Sequence, residues 1–203
     1  MIGGGTSGNG KTNLIKVIMT ALIEKYPDDV EFYLFDLKEK VELGRYEKLR
    51  QVKALAGDIN EAEVLLNHLI NEMKERQHYF RTMHWNNIVD TPMKKRTFII
   101  VDEAGEFMPE DFMEKEEKQQ HRKCQYMLAK IARIGRAFGY RELFFSQYTT
   151  ADVLPRQIKM NADNKICFRV PAGYASEVMI GIPDAAKIDD IPGRAVFIKG
   201  SKK

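Results

Sequence analysis

With 203 residues, 44% of them hydrophobic, the chain can bury one sizeable core and has no room for several, so a single domain over 1–203 is expected. A net charge of +3 with 30% charged residues is mildly basic, which allows a nucleic-acid partner without demanding one. No run of about 18 uninterrupted apolar residues occurs and no signal-peptide pattern opens the chain, which excludes a membrane-spanning helix.

The chain opens on Gly5-Thr6-Ser7-Gly8-Asn9-Gly10-Lys11-Thr12, a match to the phosphate-binding pattern G-x-x-x-x-G-K-[ST]. Glycines let the backbone curl around a polyphosphate, while successive N–H groups point at its oxygens. Lys11 supplies a point charge to the β- and γ-phosphates, and Thr12 offers a hydroxyl to Mg²⁺. From Asn13 a helix runs over 13–25, its positive N-terminal end toward the same phosphates. Such a loop normally follows a buried strand, yet only Met1 and Ile2 stand before the glycines, so the first strand is expected to be largely missing and the chain to be the core of a longer protein.

Residues 31–36 form a compact aromatic run that predicts a buried parallel strand. Asp36 and Lys38 follow it, either at a ligand-binding sheet edge or as solvated loop residues. A short strand over 52–56 precedes a long helix to about Arg81, capped by Asp58 or Asn60, with Val64, Leu65, Leu69, Ile70 and Met73 as its apolar stripe. Residues 84–96, with Pro92 and the basic Lys94-Lys95-Arg96, are expected to be a surface connection.

Thr97-Phe98-Ile99-Ile100-Val101-Asp102-Glu103 is an apolar strand ending in two acids, the Walker B pattern. Asp102 is placed to stand beside Mg²⁺ opposite Thr12, and Glu103 to orient and deprotonate a water for attack on the γ-phosphate. Residues 106–120 are strongly acidic and are expected to be a mobile or partner-facing segment. A helix over 121–138 follows, with Gly139 at its C′ position. Its polar side carries Lys123, Lys130, Arg133 and Arg136, as a solvated face or as contacts to phosphate across a subunit interface.

The strand 143–147 ends in Gln147, which can hydrogen-bond a γ-phosphate or simply cap the strand. Further strands are expected over 165–170 and 195–198, with a short helix over 176–180 between them. Cys124 and Cys167 match no metal spacing and are expected to be buried free thiols. Alternating strands and helices give a three-layer α/β fold with a mainly parallel sheet.

Taken together these residues resemble the motor domain of the FtsK/SpoIIIE family, RecA-like P-loop ATPases. The resemblance rests on the loop and the Asp102-Glu103 strand, on Phe35-Asp36-Leu37-Lys38, on Ala132-Arg133-Ile134-Gly135-Arg136-Ala137-Phe138-Gly139 and on Phe145-Ser146-Gln147. It extends through Lys159-Met160-Asn161-Ala162 and 168–170 to Ile191-Pro192-Gly193-Arg194-Ala195. It implies a ring, expected to be hexameric, that hydrolyses ATP to ADP and phosphate at subunit interfaces with Mg²⁺ and pulls double-stranded DNA through a central pore. It further implies a trans-acting arginine from the neighbouring subunit, with Arg136 first, then Arg133 and Arg169, as candidates. Such a domain works in the cytoplasm, any membrane anchor lying in parts of the parent protein absent here. Tyr148-Thr149-Thr150 departs from the family's usual Arg-Pro-Ser, and no winged-helix DNA-reading domain is present. The family also holds conjugative coupling proteins, which the wording after Phe35 approaches most nearly, and type VII secretion ATPases. The latter would bind a helical signal peptide in an apolar groove instead of DNA in a pore.

Overall fold

The computed structural model describes residues 1–147 and 155–200, so Tyr148-Thr149-Thr150 lies outside the described residues. Seven described strands form one sheet: β1 (Ile2–Gly4), β2 (Val30–Phe35), β3 (Val52–Ala56), β4 (Arg96–Val101), β5 (Tyr140–Ser146), β6 (Asn164–Phe168) and β7 (Ala195–Lys199). Their order is β3-β2-β4-β5-β1-β6-β7, and only the β6/β7 pairing is antiparallel. The helices are α1 (Lys11–Lys25), α2 (Ile59–Thr82), α3 (Lys115–Ile134), α4 (Arg156–Asn161) and α5 (Gly173–Ile180).

Both faces of the central parallel strands are buried, whereas the edge strand β7 stays partly exposed, and side chains alternate between the faces. Phe32, Leu34, Ile100 and Phe145 point to the layer that holds Ile15 and Met19 of α1. Tyr33, Phe35, Ile99, Val101 and Phe144 face α2 and α3, where Leu66, Leu69, Met73, Cys124 and Leu128 close the core. The expected three layers are therefore present. The strand expected to be largely missing is a three-residue β1, laddered on one side to β5 and on the other to β6.

From β1 the chain crosses over β5 and β4 to reach β2, whereas from β5 it turns the other way to β6. In an open parallel sheet this reversal makes a crevice at the carboxyl ends of the strands. β1, β5 and β4 lie side by side there, which brings the phosphate loop, Gln147 and the acidic pair to one edge.

The acidic segment 106–120 is structured at both ends. Phe107 is buried and packs edge-on against Phe35 at 6.1 Å, and α3 already begins at Lys115. Glu116 and Glu117 in its first turn suit the positive helix end, so the acidity there supports a helix start. The helix predicted over 121–138 becomes a 3₁₀ turn from Gly135 to Phe138 before Gly139 turns the chain at φ 92°. Asp58 caps α2 by accepting from the Glu61 N–H. Both cysteines are buried thiols, with burial pushing Cys167 up to about 11.

A candidate nucleotide site

The phosphate loop is held open by contacts that its sequence alone does not reveal. Gly5 has φ 148°, and a Cβ there would stand 2.6 Å from the Cβ of Phe168, so only glycine fits. The Arg169 carbonyl accepts from the Asn9 side-chain amide at 3.0 Å and from the Thr6 hydroxyl at 3.3 Å. From the other side the Gly193 N–H donates to the Asn9 carbonyl at 3.0 Å. Arg169 pairs in turn with Asp190, which ties the segment before β7 to the end of β6, while Arg194 pairs with Asp189 within that segment.

Lys11 is buried, and its ammonium donates to the carbonyls of Gly5 at 2.6 Å and Thr6 at 2.9 Å. Burial pulls its pKa below the usual range, while the nearby Glu103 and Asp102 carboxylates pull it back. Ser7, Gly8, Gly10, Lys11, Thr12 and Asn13 line one cleft of about 230 Å³ together with Lys16, Glu42 and Gln147. Its lining is largely polar, as a polyphosphate pocket should be.

At the base of α1 the Thr12 hydroxyl donates to Asp102 Oδ1 at 3.3 Å. Burial pushes the Asp102 carboxyl up to about 6, helped by the charge of Asp36 and opposed by the Thr12 hydroxyl. A desolvated carboxylate beside a hydroxyl is a hard-oxygen pair, and a divalent ion such as Mg²⁺ fits that donor set. Asp36 is buried, and its Oδ2 accepts from the N–H groups of Glu42 and Leu43 at 2.8 Å each. Of the two readings left open for it, that burial rules out a solvated loop residue.

Glu103 is 4% exposed and its carboxylate is bound from three directions. Ser146 Oγ donates to Oε1 at 2.6 Å, the Gly105 N–H to Oε1 at 3.2 Å, and the Gln147 N–H to Oε2 at 2.9 Å. Sequence reasoning placed Ser146 only inside a motif; a hydroxyl just before the strand-end amide was the available signal. The three arginines part company. Arg169 lies beside its own phosphate loop, whereas Arg136 sits before β5, at the opposite edge, paired with Asp163. Since β5 has seven residues, that edge is about 20 Å away. Arg133 is exposed one turn before Arg136. A larger hollow of about 350 Å³ lies at that far edge, lined by Met1, Arg136, Arg141 and Glu142 among others, and shares no residue with the loop.

A parallel sheet with a lysine-bearing phosphate loop after β1 and an acidic pair after β4 defines a P-loop nucleotide-binding protein. The sequence model of the FtsK/SpoIIIE family matches residues 1–134, and the chain belongs to that family. The DNA translocase FtsK of Chlorobaculum tepidum is 25% identical over 201 residues, covering 91% of this chain and 24% of its own length. The ESX secretion system protein EccC of Thermomonospora curvata is 26% identical over 209 residues, covering 93% of this chain and 15% of its own. The chain thus spans a quarter or less of either curated relative. Among solved structures, the pCW3 conjugation coupling protein TcpA with ATPγS superimposes with a TM-score of 0.89 at 26% identity, over 99% of this chain and 57% of that one.

Proposed function

We propose that the chain is the motor domain of a longer, ring-forming ATPase that moves double-stranded DNA by hydrolysing ATP at its subunit interfaces. The observation that carries this reading is that Lys11, Thr12 and Gln147 line one cleft, with Asp102 hydrogen-bonded to Thr12 and Glu103 to the Gln147 N–H behind it. Lys11 leaves the Gly5 and Thr6 carbonyls to neutralise the β- and γ-phosphates, and the loop N–H groups hold the remaining oxygens. Thr12 and Asp102 would hold Mg²⁺, which supplies charge neutralisation to the transferred phosphoryl group. Glu103 orients water and takes its proton, while Gln147, on the cleft wall, hydrogen-bonds the γ-phosphate. An arginine of the adjacent subunit stabilises the charge that develops there. Arg136 and Arg133 suit that task by standing away from their own cleft, whereas Arg169 is tied to its own loop.

The DNA cargo is supported by the likeness to FtsK translocases and to a conjugation coupling protein. No described helix is long and apolar enough to cross a membrane, so an anchor would belong to another part of the protein. ATP hydrolysis measured with and without duplex DNA tests the reading. Stimulation that ignores base sequence and falls steeply with salt is expected, because phosphate contacts release counterions. The match to EccC favours a second reading, a secretion ATPase, and stimulation by an apolar helical peptide but not by DNA would select it.

A further inference from the structure

Resting on the reading of Glu103 as the base, we propose that the Ser146 hydroxyl is a positioning residue that aims the Glu103 carboxylate. Ser146 is the last residue of β5, and β5 lies between the strand that delivers Glu103 and the strand that delivers the phosphate loop. Its Oγ meets Glu103 Oε1 at 2.6 Å, 43 residues away in sequence, in a place where Ser146 is fully buried and Glu103 nearly so. A hydroxyl-to-carboxylate bond of that length, shielded from water, is charge-assisted and strongly directional. The Gln147 N–H reaches both carboxylate oxygens, at 3.1 Å and 2.9 Å, so the pair fixes both the position and the rotation of the group.

The two charged groups of the site are held by different parts of the fold. In the structure Lys11 donates to the Gly5 and Thr6 carbonyls, and Glu103 stays with the end of β5. Ser146 thus holds the base at the end of β5 while Lys11 stays on the loop. It also makes the carboxylate follow any shift of β5.

Ser146→Thr and Ser146→Val test this as a pair, since the two side chains share one shape and differ in the hydroxyl. Any cost of the added methyl cancels between them. In the full chain with duplex DNA present, the Thr variant is expected to turn ATP over roughly tenfold faster than the Val variant, at equal affinity for ATPγS. Turnover within about threefold of each other overturns the proposal. So does an affinity difference that accounts for the loss, because Ser146 would then act on nucleotide and not through Glu103. Glu103→Gln separates the two levels. If it keeps wild-type turnover, the base reading itself fails; if it loses turnover while Thr and Val behave alike, only the positioning role fails.

Discussion

Thr12 Oγ1 and Asp102 Oδ1 lie 3.3 Å apart although 90 residues separate them in the chain. The contact exists because β1 and β4 end at the same sheet edge with only β5 between them. It joins the first turn of α1 to the strand-end acid, the arrangement a phosphate-bound cation would bridge.

Asp102→Asn should therefore separate folding from function. The Asp102 carboxyl is raised from 3.8 to about 6, with burial as the largest cause. Its charged form, dominant above the folded value, opposes folding, and that penalty fades as pH falls through about 6 toward the ordinary value. The amide removes the charge and keeps the shape, so the nucleotide-free variant should be more stable near pH 7.5 by about 1–2 kcal/mol, with no gain near pH 4. Mg²⁺-dependent nucleotide binding should be lost at the same time. Denaturant unfolding at the two pH values checks the sign, and a variant less stable than wild type near neutrality contradicts it.

Lys11→Ala should abolish nucleotide binding. The ammonium that now bridges the Gly5 and Thr6 carbonyls is the mobile cation inside the loop, and no alanine replaces its charge. Calorimetry with ATPγS should show affinity weakened by roughly a hundredfold or more, and unchanged affinity would remove the loop from the nucleotide site.

Glu103→Gln should bind ATP like wild type and turn over roughly 10² to 10⁴ times more slowly. The amide keeps an oxygen for the Ser146 hydroxyl but cannot take a proton from water. Turnover within about threefold of wild type would move the base elsewhere.

Buried parallel strands were the most legible part of the sequence. β2, β3 and β4 fall within about two residues of the runs at 31–36, 52–56 and 97–103, because strands packed between layers are mostly apolar segments, even where the edge strand β3 exposes Lys53. α4 went unseen: it is six residues long and buries only Ile158, too little for a helical period to show. The start of α3 hid behind charges that stabilise a helix end but mimic a solvated loop. At the site, Lys11, Thr12, Asp102 and Glu103 were legible because local patterns carry them. The buttress of Arg169 and Gly193 on Asn9, and the bond from Ser146 to Glu103, join distant parts of the chain and become visible only once the sheet order is known.

The last prediction concerns Arg136, whose guanidinium pairs with Asp163 at the edge of β5 remote from its own phosphate loop. Both partners are exposed, so breaking this pair should change the melting temperature little. A finger acting in trans contributes nothing to nucleotide binding within its own subunit but stabilises the neighbour's transition state, by roughly 10³ to 10⁵ in rate where such residues have been measured. Arg136→Ala should accordingly lower kcat and leave the ATPγS affinity of isolated monomers alone. Mixing gives the sharper test. In rings that combine Arg136→Ala subunits with Lys11→Ala subunits, some interfaces pair an intact loop with an intact arginine and should recover part of the activity that either variant lacks alone. The assignment fails if Arg136→Ala weakens nucleotide binding to monomers, or if the single variant assembles and turns over like wild type; Arg133, exposed one turn earlier, would then be tested in the same mixture.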